Sequence, residues 1–418
     1  MKKLCIVSLL CACALLAGCT APHLSEQFAV SDGSIPMPEI TPAPTVEPVQ
    51  QADALQQGQA LVADCAYDPA CPPSALAAQP EFSLPLYTLL ADAVRAGQDS
   101  VDLGQADVTD AQLEAVRTAL LSRNVWGTLR DITRGQGAQL NLTYSVEGTD
   151  ARAAQAQELD EAAQRLLERC VTPGQTQLSA ALSLYKALAQ TVRLDYEAED
   201  AGIYGALTQG RATDYGFAYA YGFLLDQAGI ENVVVTAGDG SHAWNVLTIG
   251  GVSFHCDVQT EAGLSGGQAL TCFGLSDADV ARMNGWNTWT AEDRALVTCP
   301  ESLMPELLDA PSADVDAAGN AVYFTYMEGI PGVFRLDLAT GEVLQAVEDA
   351  ADGVAVLGGS VYYLRTEDGA LCCFHTEDGQ VRTALEGVRV AAMRRVGGEL
   401  RYVTADDPEQ TEHAISLE

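Results

Sequence analysis

The sequence predicts an α+β chain, and three observations carry that expectation. Apolar residues recur at helical spacing in several stretches between Pro85 and Ala228. Leu140, Leu142, Tyr144 and Val146 alternate with polar Asn141, Thr143 and Ser145, the pattern of a half-buried strand. Beyond Asp314 the phrases Val322-Tyr323-Phe324, Val361-Tyr362-Tyr363 and Leu400-Arg401-Tyr402 return at 39-residue steps, as short strands do in a repeat. A length of 418 residues allows two to three domains, and 48% hydrophobic residues is ample for their cores.

Residues 1–19 read as an export signal. Lys2 and Lys3 precede an apolar stretch, Ile6 to Leu16, that is too short to serve as a membrane span. Leu16-Ala17-Gly18-Cys19 resembles a bacterial lipobox, which implies that Cys19 becomes a lipidated first residue; plain secretion is the alternative. The expectation is a protein on the extracytoplasmic face of a bacterial membrane, joined to membrane lipid through Cys19. Residues 20–80 are assigned to a tether. Pro36, Pro38, Pro42, Pro44 and Pro48 lie in its richest part, whose 40 or so residues reach roughly 120 Å in polyproline form.

The formal net charge of −35, from 57 acidic and 22 basic residues, comes with no basic patch. Nucleic acid is therefore not an expected partner. Eight cysteines follow Cys19, of which Cys65 and Cys71 make the best local pair for a disulfide. Adjacent Cys372 and Cys373 should point to opposite faces of a strand. No paired Cys-x-x-Cys set and no His-Glu-x-x-His occurs, so no metal or cofactor is expected.

Residues 81–173 read as a small α+β region. Its helices are expected over Pro85–Ala96 and Thr109–Arg123, the second capped by Thr109 or Asp110, and along the Leu159, Ala163, Leu166 and Cys170 face. Residues 174–300 form the next region, opened by a helix with Leu178, Ala181, Tyr185, Leu188 and Val192 on one face. Three blocks follow. Gly210-Arg211-Ala212-Thr213-Asp214-Tyr215-Gly216-Phe217-Ala218 leads into a helical run from Tyr215 to Ala228. His242-Ala243-Trp244-Asn245-Val246 and His255-Cys256-Asp257 fall in or beside β-like segments.

These blocks, in this order, resemble the transglutaminase-like family of papain-type cysteine enzymes. There a Gly-x-Gly-x-Cys-x-Gly-Tyr-Ala element starts a helix, His-Ala-Trp-Asn supplies a histidine, and a strand carries an aspartate. The resemblance implies a papain/transglutaminase-like core with His242 as base and Asp257 as its orienter. Phe273-Gly274-Leu275-Ser276-Asp277 extends it to about Arg282. It departs at the nucleophile, where Asp214 stands in place of cysteine.

Such chemistry uses a thiolate to attack an acyl carbon, an imidazole to move the proton and a carboxylate to orient the imidazole. Asp214 reads first as a helix N-cap, and second as a fixed negative partner that keeps His242 charged. It does not replace the thiol in amide chemistry, because the tetrahedral adduct expels the carboxylate more readily than the amine. Cys256, next to Asp257 on a strand, should face away from His242. Asp214, His242 and Asp257 are thus vestigial triad positions, with Tyr215 and Trp244 as candidate groove residues for a peptide or protein ligand. The expected function is non-catalytic binding or scaffolding. The alternative is an active hydrolase or amide transferase using another nucleophile, and a third reading makes the fold a spacer.

Residues 314–418 are expected to form an antiparallel β-repeat module, separable at the composition break near Ala310. Thr340-Gly341-Glu342-Val343 and Asp378-Gly379-Gln380-Val381 mark equivalent turns. The units are similar to β-propeller blades, but about three are too few for a closed ring of at least four. An open or twisted sheet packed on the core, or blades shared between chains, is expected, with Tyr323, Tyr362 and Tyr402 as strand core.

Overall fold

The computed structural model describes residues 55, 59–62, 65–198, 201–292, 297–327, 329–376 and 379–416. The export signal, Cys19 and most of the tether lie outside them. The chain is a mixed α+β structure with several antiparallel sheets. Among the described residues no helix is long and apolar enough to cross a membrane.

The first region carries helices Leu84–Arg95, Asp110–Arg123 and Thr149–Cys170. Between them lie β1 (Ser100–Asp102), β2 (Leu129–Arg134) and β3 (Gln139–Tyr144), ordered β1-β3-β2 in one antiparallel sheet. Pro85 sits in a first turn, where its missing N–H costs nothing. Thr109 closes a capping box with Gln112. Part of the stretch assigned to the tether is packed instead. Leu55, Val62 and Leu76 are buried, and Ser74–Ala77 forms a short helix. These apolar residues are too scattered to make a periodic signal; tertiary contacts alone order them.

The next region starts with helix Gln177–Thr191, whose Leu182, Leu184, Tyr185 and Leu188 are all but fully buried. The short β4 (Arg193–Leu194) and β5 (Arg211–Ala212) pair in parallel and deliver the chain to helix Asp214–Gln227. This helix packs on a five-stranded antiparallel sheet, ordered β10-β6-β7-β8-β9. Its strands are β6 (Glu231–Ala237), β7 (Ala243–Ile249), β8 (Val252–Cys256), β9 (Phe273–Leu275) and β10 (Trp289–Ala291). Helix Val258–Ser265 follows β8, and helix Asp277–Asn284 follows β9.

The repeats form three successive antiparallel meanders rather than one sheet. The first is β11 (Ala313–Asp316), β12 (Ala321–Met327), β13 (Ile330–Asp337) and β14 (Val343–Val347). The second is β15 (Ala351–Leu357), β16 (Ser360–Arg365), β17 (Leu371–His375) and β18 (Arg382–Thr383). The third is β19 (Val390–Val396), β20 (Glu399–Thr404) and β21 (Glu412–Ser416). They stack face to face. Tyr323 and Val333 share an apolar layer with Val354, Tyr363 and Phe374, while Tyr362 and Leu364 share another with Met393 and Leu400. Both faces of the middle meander are thereby buried, which is why its strands are apolar at consecutive positions. No closed ring forms among the described residues. The outer face of the third meander carries Arg394–Glu412 and Arg401–Glu399 ion pairs, a charged end to the stack.

The pattern change near residue 310 is not a gap in the core. Val315, Val322, Phe324 and Leu336 belong to the same apolar cluster as Tyr185 and Phe273. Buried Lys186 reaches Asp314 at 3.1 Å, and Arg395 meets the same carboxylate at 3.2 Å. One ionic junction therefore ties a core helix to the first and third meanders.

Candidate functional site

The site begins at the start of helix Asp214–Gln227. Thr213, not Asp214, is its N-cap: the hydroxyl accepts from the Gly216 N–H at 3.1 Å. Gly216 is held tightly against the chain, since a Cβ there would lie 2.0 Å from the Ala201 carbonyl oxygen. With the cap supplied by Thr213, the Asp214 carboxylate is free to turn inward. It is 4% exposed, and its Oδ2 lies 3.7 Å from His242 Nδ1.

His242 stands just before β7, where the Ala237 N–H donates to its carbonyl and closes the β6–β7 hairpin. Its Nε2 lies 2.9 Å from Asp257 Oδ2. Asp257 is the N-cap of helix Val258–Ser265 rather than a strand residue, because β8 ends at Cys256. Its Oδ1 accepts from the Thr260 N–H at 3.0 Å and its Oδ2 from the Thr260 hydroxyl at 2.6 Å. Burial opposes a charge on His242, but the hydrogen bond and charge of Asp257, with Asp214 behind them, outweigh it and raise the imidazole pKa. The three expected positions thus meet in one constellation.

The aromatic surroundings differ from expectation. Trp244, read as a groove residue, is 2% exposed. Its pairing with Val235 places the indole in the layer with Val233, Val246 and Leu275. That layer lies on the other side of the sheet from Val234, which packs with Ala218 of the site helix. Tyr215 is half-buried, its ring 6.0 Å from that of Tyr219 one turn along the same helix. The ring that does cover the histidine is Trp286, stacked on His242 at 4.5 Å and on Trp244 at 5.1 Å. Nothing in the spacing around Gly285-Trp286-Asn287 announces that contact; only the return of the chain past the sheet creates it.

Cys256 is fully buried, and burial drives its thiol pKa well above the usual range. It joins the apolar cluster of Leu247 and Phe273 and presents no nucleophile to His242. The eight described cysteines are free thiols, so Cys65 and Cys71 are not bridged; Cys65 Sγ donates to the Gln227 carbonyl instead.

A second cluster of donor atoms, unexpected from the sequence, brings His255, Asp277 and Cys299 within 4.8 Å of one another. Both ring nitrogens of this histidine are already engaged. The Trp244 indole N–H donates to His255 Nδ1 at 2.9 Å, which leaves the ring proton on Nε2, facing Asp277 Oδ1 at 2.9 Å. Asp277 Oδ1 also accepts from the Cys299 N–H. No imidazole lone pair is left to bind a metal.

No protein family matches the sequence, and no curated protein does. Two solved structures show faint likeness. One is a candidate cysteine protease from Cytophaga hutchinsonii, at 15% identity over 26% of this chain and 40% of that one, with a TM-score of 0.22. The other is YCF48 bound to D1 peptide, at 9% identity over 41% of this chain and 51% of that one, with a TM-score of 0.18. The chain spans about half, or less, of each. Likeness at this level carries no argument about the fold or chemistry of this protein.

Proposed function

We propose that the chain is an exported, lipid-anchored surface protein whose transglutaminase-like, papain-type core has lost its nucleophile and serves in peptide or protein binding or scaffolding. One observation carries the reading: a carboxylate, not a thiol, faces His242 Nδ1 at the start of the site helix. The rest of the constellation supports it, with Asp257 holding the other ring nitrogen. A carboxylate so placed forms an adduct with an amide that collapses back to substrate. The competing enzyme reading needs another thiol, and Cys256 is sealed in the core.

The test has two arms. Neither amide hydrolysis nor amine transfer on glutamine-containing peptides should occur with the unaltered chain; turnover lost in Asp214→Ala would overturn the proposal. Asp214→Cys should place a thiol at a helix N-terminus beside an imidazole, lowering its pKa from about 8.5 to about 7 and speeding alkylation by iodoacetamide roughly tenfold at pH 7. An introduced thiol no faster than a free cysteine would mean the constellation is not assembled. The anchor is tested separately: an alkynyl fatty acid should label the chain, and Cys19→Ala should abolish the label.

A further inference from the structure

Asp257, as a carboxylate held by Thr260, can only accept hydrogen bonds. Its 2.9 Å contact therefore puts the ring proton of neutral His242 on Nε2. The two carboxylates favour a second proton on the ring; once a metal ion displaces that proton, the Nδ1 lone pair faces Asp214 Oδ2 across 3.7 Å. That span is too long for a charge-assisted hydrogen bond, which runs about 2.7–2.9 Å. It suits two ligands of one metal ion. With metal–ligand bonds of about 2.0–2.1 Å, it corresponds to an angle of about 124–135° at the metal, wider than tetrahedral.

Asp214 supplies a second, independent indication. Its carboxylate is more than nine-tenths buried, aimed at Nδ1, and accepts no hydrogen bond among the described residues, because Thr213 has taken over the cap. Behind the imidazole, the Asp257 contact reproduces the carboxylate–histidine–metal relay that orients ligating histidines and strengthens them as donors. The contrast with His255 is direct, since there both ring nitrogens are already engaged.

We propose that Asp214 Oδ2 and His242 Nδ1 bind a divalent transition-metal ion, with Asp257 orienting the imidazole and water completing the coordination. A mixed imidazole–carboxylate pair selects zinc, cobalt, nickel or copper over calcium and magnesium, which take oxygen ligands. The proposal shares the constellation with the functional reading above but does not depend on the absence of catalysis. A chain that binds metal and also turns over amides would overturn the non-catalytic reading and leave this inference standing.

The experiment uses the full-length, untagged chain, stripped with chelator and titrated with Co²⁺ and Zn²⁺ in excess Mg²⁺ to occupy the acidic surface. Calorimetry and the visible Co²⁺ spectrum are the readouts. One ion per chain is expected, with affinity at least tenfold weaker in Asp214→Asn and in His242→Gln. Asp257→Asn should weaken binding about 10–100-fold, and His255→Gln should leave it unchanged. Circular dichroism checks folding. Should His242→Gln unfold, Asp214→Asn decides alone, because the Thr213 cap is untouched. Absence of binding, or binding that Asp214→Asn does not weaken, overturns the proposal.

Discussion

Replacing Asp226 by asparagine should remove a pH dependence of stability that this residue builds into the site helix. Asp226 Oδ1 accepts from the Ser74 N–H at 3.1 Å and from Asn232 Nδ2 at 2.9 Å. Burial, opposed in part by Arg123, raises its pKa from 3.8 to about 6. Between those values the folded chain holds the proton more tightly than the unfolded chain. The contribution is therefore full below the unfolded pKa and is lost as pH rises through 6. A shift of about 2 units corresponds to about 3 kcal/mol as a ceiling. The side chain keeps partial solvent contact, and screening brings the figure to roughly 2 kcal/mol. Asparagine retains the Oδ1 acceptor and carries no charge. Urea unfolding of both proteins from pH 4 to 7.5 gives the difference curve, in which the other carboxylates cancel. Relative to the unaltered chain, Asp226→Asn should gain roughly 2 kcal/mol across that range. A flat difference would refute the reasoning, and so would a fall.

Two further predictions test the architecture. Thr213→Ala should cost about 1 kcal/mol through loss of the helix cap, and more than Asp214→Ala, which leaves the cap intact. Thermal melts of the two variants compare them, and the reverse order would return the cap to Asp214. Lys186→Met should cost about 3 kcal/mol, because it leaves buried Asp314 with Arg395 as its remaining cationic partner. An unchanged urea midpoint would mean that the junction between the core helix and the meanders does not depend on that pair.

Much of the local structure was determined by the sequence alone. Period and capping residues place helices Leu84–Arg95, Asp110–Arg123 and Asp214–Gln227 to within a residue or two, because helix formation and its end signals are local. The repeat step after residue 314 likewise locates the strands of the meanders. The positions Asp214, His242 and Asp257 are legible as types in order, although the sequence alone places Asp257 on a strand and the cap on Asp214. What they do to one another is not local. Two caps, Thr213 and Asp257, settle which carboxylate is spent on its helix and which is free, and both depend on where helices end in three dimensions. Trp286 reaches His242 only because the chain folds back across the sheet, and Trp244 is buried only because of its register with Val235. The same holds at Lys186, Asp314 and Arg395, three charges far apart in sequence that are buried together. Burying such groups is favourable only when partners arrive from distant segments. A periodicity read along one segment carries no information about partners from another, so only the tertiary structure decided these contacts.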